Sequence, residues 1–558
     1  MSSNESSTET AKPTSGLRVW LLFTIASAPL LLAIWCFPWF LTQDAPFHLY
    51  NAEISRQLAA GHQDFAKIYS SRGALLPYIG GHEMLYFLQS FLPARLVDRL
   101  IMTITSVGFA AALVWFRQRL VGPAGLALFV PLSILIAGSR LWLLGLYPFL
   151  LGSLFVPIIL ALWWKWRNDL GPVRALVLAA LLLFGYVFHI ISTAVIVVGL
   201  AVLALLTPGN NFRRRLLWTA AASVPVIALI LRFRSATVHS EGSGLNWIGL
   251  DNARSITSWL TYLQDPDFLS ISFRSSVLGF LLPSDCPFVE TPSQKYAIFW
   301  PVLWLVIALL LLARCTLANR PSAGSLLRQS CYRGWFCFAV VLLALGLFGP
   351  SDVGEGSILR ERLLLFAVIA MVPLVRFQWG QRMARVAAVL LWFSAIAQIA
   401  FVYDYASRAN RIASDFVSVA GKISSGQRVA GALVNTSTHY LVSPLPNLID
   451  QVGVESRAII WNNYGPNYSY SPVAFANDES SDTTNEVLWL NEVLISDEAE
   501  SLAEADPEQW VKNIDLGMSE TDVLVVWGSA PWFEKLNERW FEAEPFFERG
   551  ELRAFRRR

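Results

Sequence analysis

From Ala175 to Leu206 the chain carries no formally charged side chain. That run exceeds one ordinary bilayer crossing, which takes about 20 apolar residues. In hydrocarbon a backbone must satisfy its own N–H and C=O groups, so a run of this kind must be helical. Broken at His189, it gives two crossings, Arg174–Phe188 and Ile190–Leu206, joined by a tight hairpin. Comparable apolar stretches are Val19–Leu41, Leu100–Phe116, Gly122–Ala137, Pro148–Trp164 and Leu216–Leu231, then Ala297–Ala313, Trp335–Phe348, Leu363–Val375 and Val386–Tyr403. The expectation is an α-helical polytopic membrane protein with about 11 transmembrane helices.

Composition bears on partners. Charged residues make up 15% of the chain and hydrophobic ones 54%, against about 25% charged in a typical soluble domain. A formal charge of +2 gives no reason to expect a nucleic-acid partner; membrane lipids are the expected surroundings. The five cysteines, Cys36, Cys286, Cys315, Cys331 and Cys337, show neither metal-ligand spacing nor a disulfide framework.

Short loops fix an expected orientation, because Lys and Arg concentrate on the cytoplasmic side. Alternate loops hold Arg117 and Arg119; Lys165, Arg167 and Arg174; and Arg213, Arg214 and Arg215. The pattern continues with Arg314, Arg320, Arg328 and Arg333, then Arg376, Arg382 and Arg385, with Asp169 the one acid among them. The N-terminus is therefore expected inside. Residues 1–16, rich in Ser, Thr and Glu, form a disordered cytoplasmic tail, and residues 17–403 the membrane domain. Large outer loops occupy 42–99 and 232–296. Residues 404–558 form an extracytoplasmic α/β domain, with Val429–Leu433, Ala458–Trp461 and Val523–Trp527 as buried strands and helical patterns at Arg411–Ile423 and Asn485–Leu502. No nucleotide-binding fingerprint occurs there.

Ionisable residues at a membrane boundary are functional candidates. Directly after the first apolar stretch comes Asp44-Ala45-Pro46-Phe47-His48-Leu49-Tyr50-Asn51-Ala52-Glu53. Pro46 suits a first helical turn and Asp44 an N-cap; Asp44 and His48, four apart, can meet. Ordinary capping is the plainer explanation of a lone Asp there. Gly81-His82-Glu83 opens an amphipathic helix running to about Phe91. His189 closes Tyr186-Val187-Phe188-His189, where a hydrogen-bonded structural histidine is the plainer reading. Arg360-Glu361-Arg362 opens a span, where an arginine ordinarily snorkels to headgroups. The acids Asp251, Asp265, Asp267, Asp285 and Glu290 read as scattered loop polarity rather than metal ligands. All four ionisable features are expected at one membrane face.

The chain resembles the GT-C superfamily of polytopic glycosyltransferases. The matching pieces are the Asp44–Ala52 stretch after the first span, Leu143-Leu144-Gly145-Leu146-Tyr147-Pro148-Phe149-Leu150-Leu151-Gly152 and Tyr186-Val187-Phe188-His189. Gly356-Ser357-Ile358-Leu359-Arg360-Glu361-Arg362 and Trp461-Asn462-Asn463-Tyr464 complete them. The resemblance implies a protein of the bacterial inner membrane that transfers a sugar, with inversion, from a polyprenyl-phosphate donor. The acceptor is a hydroxyl of a glycan, lipid or protein at the outer face. By position Asp44 is the implied general base, with His48 orienting it and Glu53 in reserve; Arg362, then Arg360, would take the departing phosphate, with His82, Glu83, His189 and Arg140 around the pocket. Metal-dependent members carry a second acidic motif in the next outer loop. Here the hairpin Gly138 to Tyr147 has Arg140 and no carboxylate, so no metal or cofactor is expected beyond the lipid-linked sugar. The rival readings are a transporter or flippase and a non-catalytic scaffold. No internal repeat or mid-bilayer polar cluster favours the former.

Overall fold

The structure is a computed structural model. It describes residues 16–73, 76–123, 125–209, 211–237, 245–246, 303, 306–314, 330–350, 352–353, 358–375, 382–433, 442, 444–476, 518–529 and 539–558. The acids between 251 and 290, the Asn485–Leu502 pattern and the first part of the expected span Ala297–Ala313, residues 297–302 with 304 and 305, lie outside them.

Helices α1 (Gly16–Trp35), α2 (Ala45–Ala59), α3 (Gln63–Ala66), α4 (Ile79–Gln89) and α5 (Ala94–Thr103) come first. A π-helical turn, Ile104–Gly108, joins α5 to α6 (Phe109–Val121). Next are α7 (Leu126–Ala137), α8 (Arg140–Leu143), α9 (Tyr147–Trp166), α10 (Pro172–Phe188), α11 (Ile190–Leu206) and α12 (Phe212–Thr237). After them come α13 (Ser330–Phe348), α14 (Leu359–Met371), α15 (Arg382–Ala420) and α16 (Leu445–Ser456). Among the described residues five helical stretches are long and apolar enough to cross a membrane: Leu17–Trp35, Ala94–Val121, Tyr147–Trp166, Phe212–Ser235 and Arg382–Ala420. Four shorter apolar helices accompany them. Large apolar side chains stand exposed in helical rows: Leu17, Leu21, Ile25 and Leu32 on α1, Leu217, Val224 and Leu231 on α12, and Val386, Val389, Phe393 and Ile396 on α15. In water such rows would be a severe liability; against acyl chains they are what a span requires. The chain is an integral membrane protein.

Several expected boundaries move by a few residues, and two of the shifts have a clear physical cause. The first span stops at Trp35 rather than Leu41. Pro38 supplies no N–H and disfavours helical backbone at Phe37, and Arg99 donates to the freed carbonyls of Phe37 and Pro38. The last helix runs unbroken across residue 403 to Ala420, because polar residues replace apolar ones after Tyr403 without any helix breaker.

The C-terminal region holds a five-stranded sheet of β4 (Arg428–Leu433), β5 (Ile459–Ile460), β7 (Val523–Trp527), β8 (Phe547–Arg549) and β9 (Leu552–Arg556), numbered after the short strands below, in the order β5-β4-β7-β9-β8. β4 pairs parallel to β5 and β7, with Val429 opposite Val523, and β9 runs antiparallel to β7 and β8. Continuous apolar runs suit parallel strands buried on both faces, and β4 and β7 are buried almost throughout. β1 (Tyr69–Ser71) pairs antiparallel with β6 (Val473–Phe475), and β2 (Leu245–Asn246) with β3 (Asp352–Val353). The β1–β6 pairing stitches the segment after α3 to the C-terminal region.

α2 is the element both halves share. It packs on α16 and α4. Its Tyr50 hydroxyl donates to the Ala458 carbonyl at 2.9 Å and accepts from the Ile460 N–H at 2.8 Å. Its Asn51 exchanges amide hydrogen bonds with Asn463 at 3.3 and 3.2 Å. These buried, mutually satisfied groups fix α2 in one position, and with it the residues at its start.

Candidate functional site

Asp44 sits immediately before α2, and its backbone N–H donates to the Leu144 carbonyl at 2.9 Å while Gln43 N–H reaches Leu143 at 3.2 Å. That clamp needs Gly145: its φ is +70°, and a Cβ there would fall 2.1 Å from the Thr42 hydroxyl oxygen. The Asp44 carboxylate makes no cap bond to the helix. It accepts instead from Asn447 Nδ2 of α16 at 3.1 Å, and the same amide group donates to the Gln43 carbonyl at 2.9 Å. The plain capping role expected for a lone Asp is thus unfilled. Burial pushes the Asp44 carboxyl up to about 7, against the opposing pull of the Gln43 side chain, the Arg362 charge and Asn447.

Arg362 is buried in the first turns of α14. Its Nη1 lies 3.2 Å from His189 Nε2, and its guanidinium carbon lies 5.0 Å from the centre of the Phe149 ring. Its Nε has no hydrogen-bond partner, and Asp44, Glu361, Tyr78 and Tyr470 are its electrostatic neighbours. The residue that starts this helix, Ile358, has φ +57°, a left-handed conformation costing a β-branched residue roughly 1–2 kcal/mol. Tyr78, which precedes α4, has φ +77°. Two strained residues thus stand in the neighbourhood of one guanidinium, as strain gathers where placement matters.

His189 is hydrogen-bonded, as a structural histidine would be, and also lies beside Arg362. It is fully buried at the start of α11, where its Nδ1 accepts from the Ser192 N–H at 3.1 Å and lies 2.9 Å from Ser192 Oγ. The other ring nitrogen faces Arg362. Gly152 makes the approach possible: a Cβ on it would meet His189 Cβ at 2.4 Å.

Other expected site residues divide. Arg140 reaches the margin, 3.9 Å from Glu361. His48 and His82 are buried with ring centroids 5.4 Å apart, and His48 stacks on Tyr147 at 5.7 Å. The expected His48–Asp44 contact is corrected: both His48 ring nitrogens lack a hydrogen-bond partner, as does His82 Nδ1. Asp44 precedes the regular helix and turns to Asn447, so the four-residue spacing does not bring the side chains together. Burial, then His82, holds the His48 imidazole well below the usual range, and burial pushes His82 down to about 4; both are neutral. Three further expectations are corrected. Glu53 is committed elsewhere, to Arg56 and Gln57 at 2.5 Å each, because nine residues of helix carry it to the face opposite Asp44. Glu83 is exposed, on the side of α4 away from its buried His82. Arg360 donates to the Gly346 carbonyl at 3.3 Å and to Leu347, capping the end of α13.

Sequence reasoning missed Asn447 altogether; an Asn in Pro444-Leu445-Pro446-Asn447 carries no motif signal. It also missed an aromatic wall. Phe47 stacks on Tyr464 at 4.6 Å, Tyr464 meets Tyr468 edge-on, Tyr468 stacks on Tyr470 at 5.0 Å, and Tyr470 meets Tyr78 at 4.8 Å. Tyr78 then meets His189 edge-on at 5.0 Å. The spacing Tyr464, Tyr468, Tyr470 was the signal available. Among the described residues no group of three His, Cys, Asp or Glu side chains is placed to hold a metal ion. The region thus holds the Asp44 carboxyl with its raised pKa, the buried Arg362 guanidinium with His189 against it, the His48–His82 pair and an aromatic wall.

No protein-family model and no curated protein sequence matches the chain. Solved structures do. It is similar to ArnT from Cupriavidus metallidurans bound to undecaprenyl phosphate, with TM-score 0.42 and 13% identity over 97% of this chain and 98% of that one. It is also similar to the archaeal oligosaccharyltransferase AglB from Archaeoglobus fulgidus in complex with an inhibitory peptide and a dolichol-phosphate, with TM-score 0.40 and 11% identity over 91% of this chain and 69% of that one. The apo Archaeoglobus fulgidus oligosaccharyltransferase gives TM-score 0.41 and 11% identity over 92% and 70%. At these TM-scores the likeness carries no residue correspondence.

Proposed function

We propose that this chain is a GT-C-type glycosyltransferase that moves a sugar from a polyprenyl-phosphate donor to an acceptor hydroxyl at the outer face of a membrane, with inversion. The observation that carries the reading is that Asp44, its carboxyl raised to about 7, has the buried guanidinium of Arg362, with its unpartnered Nε, as an electrostatic neighbour. A general base works best with a pKa near the operating pH. A guanidinium in a dry site stabilises the charge that develops on a leaving phosphate.

In the reaction, Asp44 takes the proton of the acceptor hydroxyl as its oxygen attacks the anomeric carbon. The bond from that carbon to the phosphate oxygen breaks, and the polyprenyl phosphate leaves with the electron pair toward Arg362. The buried His189 ring, with Nε2 3.2 Å from Arg362 Nη1, packs against one edge of the guanidinium and limits where it can swing. The prenyl tail would lie in a groove between spans. The acceptor class is open among glycan, lipid and protein hydroxyls.

The test is transfer by purified protein in nanodiscs across a panel of polyprenyl-phosphate sugars, wild type against Asp44→Asn. Asparagine keeps the shape and the neighbour Asn447 while removing basicity, so transfer should fall roughly 100-fold or more at unchanged yield. Equal rates in the two proteins would remove Asp44 as the base.

A further inference from the structure

On the face of α2 opposite Asp44 lies a cavity of about 590 Å3, within the roughly 300–1,000 Å3 of small-molecule sites. Trp39, Glu53 and Arg56 line it with the turn from Gln89 to Arg95, Val417 of α15, and Val454, Glu455 and Arg457. It is thus built at the junction of the helical bundle and the C-terminal region. Its charges do not balance locally. Buried Glu53 is taken by Arg56 and Gln57, and Arg457 comes only within 4.0 Å of it. Glu455 accepts from Gln451 at 3.1 Å, and burial raises its carboxyl pKa. Arg95 makes no ion pair within 4 Å among the described residues; its electrostatic neighbours are Glu455 across the cavity and another cation, Arg99, so with Arg56 and Arg457 the lining carries three cations against the two carboxylates Glu53 and Glu455. The cavity wall also includes the first turn of α5, which carries no acidic residue; a helix start of that kind favours an anion.

Depth identifies the partner. The exposed apolar row of α1 ends at Trp35, over which the Arg99 guanidinium sits at 5.7 Å. Phe87 and Phe91, 61% and 72% exposed, flank the turn that forms the cavity wall. Trp35 marks the headgroup level at which Trp concentrates, and exposed phenylalanines at the end of an amphipathic helix such as α4 dip into the headgroup–acyl boundary. We propose that the cavity binds the phosphate of an anionic phospholipid headgroup, on Arg95, the α5 start and Arg457, and that this lipid joins the C-terminal region to the membrane. The site shares no lining residue with Asp44 and Arg362 and does not depend on the function proposed for them.

The experiment is native mass spectrometry and thermal unfolding of the full chain after delipidation, with three probes: phosphatidylglycerol, phosphatidylcholine and inorganic phosphate. Wild type should retain phosphatidylglycerol over phosphatidylcholine and gain stability from it. Arg95→Ala and Arg457→Ala should each weaken retention roughly tenfold, the effect of one charge-assisted contact, while Arg95→Lys should restore part of it. Both arginines are exposed, so unfolding midpoints in phosphatidylcholine should match wild type. If Arg457→Ala, at a helix end, unfolds early, Arg95→Ala decides alone. The same stabilisation from millimolar inorganic phosphate, lost in Arg95→Ala, would keep the phosphate site and overturn the lipid as its source. Equal retention of phosphatidylglycerol by wild type and Arg95→Ala, or no preference for it over phosphatidylcholine, would overturn the proposal.

Discussion

Replacing Asn447 by leucine tests how the outlying helix α16 sets the chemistry of Asp44. The leucine is nearly isosteric, and Asn447 is buried, so the change removes two hydrogen bonds, to Asp44 Oδ1 and the Gln43 carbonyl, and little volume. A hydrogen bond to a charged group is worth about 1.5–3 kcal/mol, and one pKa unit is about 1.4 kcal/mol. Asp44 keeps some contact with solvent, so the lower end applies: a rise of about one unit above the starting value of about 7. The bond stabilises the ionised form, so losing it moves the acid limb of kcat/KM toward higher pH. At pH 7 the ionised fraction falls from about a half to about a tenth, and the rate falls roughly fivefold; by pH 9 it should lie within about twofold of wild type. Asn447→Asp should shift the limb further, by setting a like charge beside the base, and Asn447→Gln should restore part of the wild-type profile. The assay is kcat/KM from pH 5.5 to 9.5 in nanodiscs with lipid-linked donor. A uniform loss at every pH with the limb unmoved would refute the reasoning, since it would separate Asn447 from the ionisation of the base.

The same raised pKa predicts a stability effect. Between 3.8 and about 7 the folded form holds the Asp44 proton more tightly than the unfolded form, so this contribution is full below 3.8 and lost as pH rises through about 7. Asp44→Asn should therefore unfold at or above the wild-type temperature at pH 8; early unfolding of the variant would contradict that sign. Arg362→Lys keeps charge but loses the planar fork, and should raise donor KM roughly tenfold or more with the acid limb in place; unchanged donor KM would remove Arg362 from the phosphate. Gly152→Val pushes atoms into His189, and at an overpacking penalty of about 1–3 kcal/mol it should lower both thermal stability and donor affinity, read by unfolding and competition with polyprenyl phosphate. Glu53→Gln should leave the pH profile of transfer unchanged; collapse of the rate at full stability would return Glu53 to the reaction.

What the residues determined by themselves follows from local rules. Uncharged runs such as Ala175–Leu206 can only be helices in lipid, and His189 does end α10 and begin α11. β7 coincides with Val523–Trp527, and β4 begins one residue before Val429, because continuous apolar runs of that length suit buried strands. Gly145 and Gly152 stood in a quoted motif, but the Thr42 and His189 atoms that exclude a side chain there belong to other segments. Only the tertiary structure could decide which polar groups work together. Asp44 and His48 are close in sequence and do not bond, whereas Asp44 and Asn447 are far apart and do. Glu53 and Arg360 looked equivalent to their neighbours in sequence, yet the turn of a helix sends each to a different partner. Local backbone geometry follows from nearby residues. The field at Asp44 is the sum of a loop clamp, a helix from the C-terminal region and a guanidinium from α14, and that sum exists only once those segments have packed.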